Sequence, residues 1–126
     1  MKKLFSTSWK SSKQPRKQRK YVYNAPLHIK HKLLAAHLSK ALREKMKRRS
    51  IPVRKGDKVK VSRGQFAGKE GKISKVMLRK SKVYVDGVEM IKKDGTKVFY
   101  PLHPSNLIIT ELNMEDKRRR EALERK

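Results

Sequence analysis

Residues 56–76 read GDKVKVSRGQFAGKEGKISKV, an alternation of apolar and polar residues broken by Gly64, Gly68 and Gly71. The pattern predicts a strand, a glycine-rich loop and a second strand. Val59 and Val61 fall on one face of the first strand and Lys58, Lys60 and Ser62 on the other, the period of two of a half-buried strand. The loop has basic walls, because Arg63 and Lys69 bracket Gly64, Gln65, Phe66, Ala67 and Gly68. Glycines let the backbone approach a bulky anion, two cations neutralise it, and Phe66 offers a flat face. A polyphosphate backbone fits that description. The same glycines would also serve a plain hairpin turn, and it is the basic flanks that favour binding. A nucleotide-binding P-loop needs four residues between its glycines and a hydroxyl after its lysine. Here only Gln65, Phe66 and Ala67 separate Gly64 from Gly68, and Glu70 follows Lys69.

Outward from this stretch the pattern stays β. Strands are expected at about 58–63, 71–78, 82–86, 88–92, 96–100 and 107–110, separated by glycine-rich or proline-rich breaks. Lys93-Asp94-Gly95-Thr96 reads as a hairpin turn with a two-residue Asp-Gly loop. Short strands at this spacing imply a small barrel over residues 51–112. On the N-terminal side, 1–20 reads as a flexible basic arm and 21–24 as an extended lead-in. A helical basic extension follows over 21–50: Pro26 suits a first helical turn, 27–36 a short helix, and Ser39 the cap of a second helix. Leu38, Leu42 and Met46 recur every four residues and form an apolar stripe to dock on the barrel. Pro52 marks the boundary, since proline disfavours helical geometry in the residue before it. Residues 113–126 read as a C-terminal helix capped by Asn113, with Glu115 and Asp116 at its positive end and Arg125 and Lys126 at its negative end.

Length and charge narrow the function. A chain of 126 residues has room for one domain plus extensions. Its 36 Lys and Arg against 11 Asp and Glu give a net charge of +25. The charge is uneven: residues 1–50 carry 16 basic and 1 acidic residue, residues 51–110 carry 14 and 5, and residues 111–126 carry 6 and 5. The segment before Tyr21 has too few apolar residues to offset the entropy of ordering, so it is expected to stay disordered until a polyanion neutralises it. Nucleic acid is the favoured polyanion over a membrane surface, because Leu4, Phe5 and Trp9 are widely spaced and form no sustained amphipathic stripe. The start resembles a signal-peptide n-region, but no apolar h-region follows and no run could span a bilayer. A cytoplasmic location without membrane insertion is expected. With no cysteine, disulfides, thiolate chemistry and cysteine-ligated zinc are excluded.

Within the N-terminal segment, Lys10, Lys13, Arg16, Lys17, Arg19 and Lys20 interleave with Trp9, Tyr21 and Tyr23. Cations suit phosphates and planar rings can stack on unpaired bases, so Trp9 and Tyr23 join the candidate RNA contacts. A soluble tail with incidental aromatics and a nuclear localisation signal are the competing readings. Arg48 and Arg49 close the basic helical extension and are added as contacts. Lys80 and Lys82, with Arg79, form a basic turn that suits either a solvated bend or a second phosphate clamp. His28 and His31 stand three apart, but the lysines around them would repel a divalent cation, so no metal is expected. His103 and Ser105 lie two apart in a proline turn with no orienting acid, which reads as a turn and not a hydrolytic relay. Asp57, Glu70, Asp86, Glu89 and Asp94 are scattered, with ion pairs to neighbouring lysines as the simplest account.

The segment 56–76 resembles a KOW motif, the glycine-centred strand-loop-strand element of ribosomal proteins and transcription elongation factors. The resemblance extends from about Ser11 to the C-terminus. SSKQPRKQRKYVYNAPLHIKHKLLAAHLSKALREKMKRRSIPVRKGD, HPSNLIITEL and EDKRRREALERK together are similar to the archaeal and eukaryotic branch of one large-subunit ribosomal protein family, numbered twenty-four in bacteria and archaea and twenty-six in eukaryotes. The loop GQFAGKEGKI is closer to the archaeal and bacterial form of that family. The resemblance implies a mainly β fold with a small SH3-like barrel. It also implies a structural, non-enzymatic role on large-subunit rRNA early in assembly, near the peptide exit tunnel and beside neighbouring large-subunit proteins, with no cofactor and no small-molecule substrate. In the family the HPSN turn lies beside the KOW loop and touches RNA, which adds His103, Ser105 and Asn106 to Arg63, Gly64, Gln65, Phe66, Gly68 and Lys69. The rivals are a KOW-type transcription elongation factor and a nonspecific nucleic-acid chaperone.

Overall fold

The computed structural model describes residues 5–9 and 11–125. The expectations for Leu4, Lys10 and Lys126 lie outside them. Elements follow in the order α1 (Pro15–Asn24), α2 (Leu27–Leu33), β1 (Ala35–Leu38), α3 (Lys40–Met46), β2 (Ser50–Pro52), β3 (Lys58–Val61), β4 (Glu70–Met77), β5 (Lys82–Val85), β6 (Glu89–Ile91), β7 (Lys97–Phe99), a 3-10 turn (Pro104–Asn106), β8 (Leu107–Glu111) and α4 (Lys117–Glu124). The protein is a small, mainly β domain with four helices. Six strands form one mixed sheet in the order β2-β1-β8-β3-β4-β5, and β6 and β7 form a separate ribbon. All six strands expected between residues 58 and 110 are present, each within one or two residues of its expected ends.

Strand alternation builds the core. Val59 and Val61 of β3, Val83 and Val85 of β5, and Leu107 and Ile109 of β8 are buried on one side, joined by Ala36 and Leu38 of β1. Leu42 and Met46 of α3 pack against this cluster, as their spacing predicts. Ser39 caps α3 by accepting from the Leu42 N–H at 3.5 Å.

Four expectations need correction. A closed barrel does not form among the described residues: β1 and β2 extend the sheet along β8, and its terminal strands β2 and β5 do not pair, β5 meeting only a bridge between Val83 and Leu102 on its outer side. Residues 35–38 are a strand, not the end of a helix. His37 and Leu38 pair in parallel with Ile108 and Ile109, and Ala35 to His37 pair antiparallel with β2. Those ladders satisfy both edges of the backbone at once, so tertiary pairing overrides the helix propensity of Ala35 and Ala36. The sheet therefore draws a strand from the N-terminal side of residue 51 into pairing with β8.

The third correction concerns the N-terminal segment, where Pro15–Asn24 form a helix, so Tyr21–Asn24 are not an extended lead-in. Pro15 occupies the first turn, where its missing N–H costs nothing, and Arg16 to Lys20 are good helix formers. None of the helix's residues is buried, but Tyr21 is clasped by Phe5 and Trp9, with ring centroids 4.9 and 4.7 Å away. The helix ends at Ala25, which precedes Pro26 and is extended; Pro26 itself caps α2 from just outside the helix. Fourth, α4 starts at Lys117 and is capped by Asp116, which accepts from the Arg118 N–H at 3.0 Å. Asn113 instead forms a local turn, its side-chain oxygen accepting from the Glu115 N–H at 3.0 Å.

The hairpin between β6 and β7 also differs in detail. The Gly95 N–H donates to the Lys92 carbonyl at 3.0 Å and the Lys92 N–H to the Thr96 carbonyl at 2.9 Å, which makes a three-residue loop. Only Gly95 of that loop has a positive φ, +86°; Asp94 stays on the ordinary side and bonds Thr96 instead. Glycine in the left-handed position of a three-residue loop is the next most favoured hairpin after the two-residue form.

Candidate nucleic-acid interface

The glycine loop joins β3 to β4. Its neck is closed by the Val61 N–H donating to the Lys69 carbonyl and the Gly68 N–H to the Val61 carbonyl, both at 2.8 Å. Gly64 and Gly68 have φ of +93° and +89°, and a Cβ at either would meet open space. These two positions need glycine for their conformation and leave backbone accessible. Gly71 is different in kind: it lies in β4, and a Cβ there would come within 2.2 Å of the Asp86 carbonyl oxygen. It permits close strand approach and takes no part in the loop.

Arg63, Gln65 and Lys69 are exposed. Phe66 is half-buried, its ring tilted against Tyr100 at 5.0 Å with the Lys69 ammonium 5.1 Å from its centroid. Its face is therefore already engaged, and the ring works as the floor of the loop. Ser62 ties the neighbouring turn to this loop, donating from both its N–H (2.8 Å) and its hydroxyl (2.9 Å) to the Asn106 carbonyl. The result is a recess of about 170 Å³ that brings together Arg63, Gly64, Gln65, Phe66, Lys82, His103 and Asn106. The recess thus joins the glycine loop to the turn that the resemblance set beside it, and adds Lys82.

His103 organises the turn. Its Nδ1 accepts from the Ser105 N–H at 3.2 Å and lies 2.8 Å from the Ser105 hydroxyl, which caps the 3-10 turn. Burial, and then the nearby Lys82 charge, hold its pKa below the ordinary histidine value. The imidazole is neutral, with Nε2 as the protonated nitrogen. His103 also lines a second, larger recess of about 460 Å³ with Gln18, Arg19, Val22, Tyr23, Lys30, Arg79, Lys80 and Ser81. Of the candidate RNA contacts, Arg19, Tyr23 and Lys80 meet there.

Other candidates are placed differently. Lys13, Arg16, Lys17 and Lys20 are exposed on and before α1, and Arg49 is exposed after α3. Trp9 packs on Tyr21, whereas Tyr23 is 82% exposed. Arg48 is half-buried and already engaged: its Nη2 donates to the carbonyls of Ala122 and Arg125, at 2.8 and 2.6 Å, closing the end of α4.

Sequence reading missed two residues of consequence. Asp57 is fully buried and accepts two bonds from Arg119, at 2.6 and 2.7 Å, together with the N–H groups of Asn113 and Arg54. The expected lysine partner is an arginine 62 positions away, a pairing with no local signature. Lys30 is the second, an ammonium only 9% exposed on α2. Glu70 does find its neighbour, Lys60, at 3.7 Å.

With this geometry in place, comparison with known proteins becomes specific. A family model described as the ribosomal proteins L26 of eukaryotes and L24 of archaea matches residues 12–126. The chain belongs to that ribosomal protein family. It is also 54% identical over 115 residues to the large ribosomal subunit protein uL24 of Methanosphaera stadtmanae, covering 91% of this chain and 98% of the relative. Family membership is thus of the archaeal and eukaryotic type, and the elongation-factor and chaperone readings find no support in either comparison. Among the described residues no helix is long and apolar enough to cross a membrane.

Proposed function

We propose that the chain is a structural constituent of the large ribosomal subunit, in the cytoplasm, that binds and organises large-subunit rRNA. The observation that carries this reading is the convergence of the β3–β4 loop, Lys82 and the His103–Asn106 turn on one recess, in a chain of net charge +25. The match to a ribosomal family supports it independently. The mechanism is positioning, without catalysis or cofactor. Arg63 and Lys69 neutralise phosphates, the glycine backbone at positions 64 and 68 closes on the sugar-phosphate chain, and selectivity comes from RNA shape more than from a base code.

In this reading the glycine loop and its flanking strands are the KOW element of an SH3-like fold, opened by the added strands β1 and β2. The basic residues of positions 1–20 run between rRNA helices and screen phosphates that would otherwise repel. The protein joins the subunit early, beside the peptide exit tunnel and in contact with neighbouring ribosomal proteins. Replacing Arg63 and Lys69 together by alanine tests the loop. Both side chains are exposed, and within the protein Lys69 makes a 3.4 Å bond to the Gly87 carbonyl and its contact with the Phe66 ring, so the urea midpoint is expected to fall little. Incorporation into large subunits should fall in competition with the wild-type chain. Equal incorporation would remove the loop from the mechanism.

A further inference from the structure

The larger recess, between α1 and the β4–β5 turn, contains an unusual cation. Lys30 is nine-tenths buried, and its Nζ donates to the Arg79 carbonyl at 3.3 Å. That is one bond, slightly longer than the normal range, for a group with three protons to donate. None of the ion pairs among the described residues involves it. Burying an ammonium with so little compensation is costly unless an anion reaches it. The walls of the same recess add Arg19 and Lys80, and no acidic residue lines it. At its rim Tyr23 is 82% exposed, a ring with no packing role. His103 offers its second nitrogen, because Nδ1 is occupied by Ser105.

We propose that this recess receives a single unpaired RNA nucleotide, its phosphate held by Lys30, Arg19 and Lys80 and its base stacked on Tyr23. A volume of about 460 Å³ falls within the ~300–1,000 Å³ of sites that enclose a small ligand. A phosphate answers the under-bonded ammonium, and a base answers the exposed ring; an aliphatic segment would answer neither. The Nε2–H of His103 then supplies a neutral, directional donor to the base edge or the ribose, beside the three cations that hold the phosphate. The site deepens the RNA-binding reading and rests on it.

The test uses the full chain and large-subunit rRNA, with affinity measured over a range of salt. Lys30→Met should leave the urea midpoint of the free protein unchanged or raised, because the buried charge is gone, while binding weakens and the salt slope drops by about 1. A lysine with only a structural role would give the opposite pair of results, lower stability and unchanged binding. Tyr23→Ala should weaken binding about five- to a hundredfold with the salt slope unchanged, and Tyr23→Phe should restore it, as expected for loss and return of one stacking platform. Unchanged affinity in both Lys30→Met and Tyr23→Ala overturns the site. A photo-crosslinking residue at position 23 of the assembled subunit should join to one rRNA nucleotide, and a crosslink to a protein would assign the recess to an acidic segment and overturn it as well. A wild-type chain that fails to bind rRNA would instead defeat the RNA-binding reading itself.

Discussion

Asp57, Gly71 and His103 each do something that residue type alone does not announce. Gly71 sits in an ordinary strand conformation, and its glycine is required by the Asp86 carbonyl 2.2 Å from where a Cβ would stand. Because that neighbour is backbone, Gly71→Ala must spread β4 from β5, at about 1–3 kcal/mol of stability, read as a lowered urea midpoint. His103 has a folded-state pKa below its ordinary value of 6.5, first through burial and then through Lys82. The unfolded chain therefore binds the proton more readily. Its contribution to stability is complete above about pH 6.5 and is lost as pH falls through the lower, folded value. Urea midpoints measured from about pH 7.5 down to about pH 5 should decline less steeply in His103→Gln than in the wild type. Identical slopes would contradict the lowered pKa that burial and Lys82 give His103.

Among the elements, α4 is the one anchored by a buried ion pair, between Arg119 and Asp57. Arg119 donates to both carboxylate oxygens of Asp57 and to the carbonyls of Asn113 and Pro52, while Arg48 closes the far end of the helix. Arg119→Met leaves Asp57 buried with only two backbone donors, and breaking a buried pair in this way costs about 3–5 kcal/mol. Chemical denaturation would measure it, and a loss below about 1 kcal/mol would mean that α4 is held mainly by Leu123, the Arg54–Asp116 ion pair and the Arg48 bonds. The β elements from Lys58 to Thr110 were legible in the sequence because short apolar-polar alternations, carried into burial most clearly in β3, β5 and β8, lie between mostly glycine- or proline-containing breaks. The strand β1 was not, because Ala35 and Ala36 favour helix locally and only pairing with β2 and β8 makes them extended. The helix α1 was hidden for the converse reason: judged by buried apolar surface it has none, and its stability comes from Pro15, good helix formers and the Phe5–Tyr21–Trp9 cluster. Of the candidate site, the glycine loop, Lys82 and the HPSN turn were legible as basic or polar segments, and the family resemblance alone set the turn beside the loop. Their union in one recess depends on Ser62 bonding Asn106 across 44 positions, and Lys30 was hidden because burial of one lysine among many leaves no mark in composition.

At the scale of the whole molecule, a chain of net charge +25 with a small mixed sheet is a poor candidate for life alone in solution. Its sheet, helices and turns arrange two adjoining recesses around His103, both lined by cations, and its family is ribosomal. A protein held only by ~6–10 phosphate contacts loses about 10³–10⁵ in affinity between roughly 50 and 200 mM salt. A chain locked by shape into folded rRNA should survive that change. The decisive measurement is sedimentation of a cell lysate through a sucrose gradient after a high-salt wash, with this chain quantified in every fraction. Recovery at one copy per large subunit is the predicted result, and migration at the top of the gradient or with RNA polymerase would contradict it.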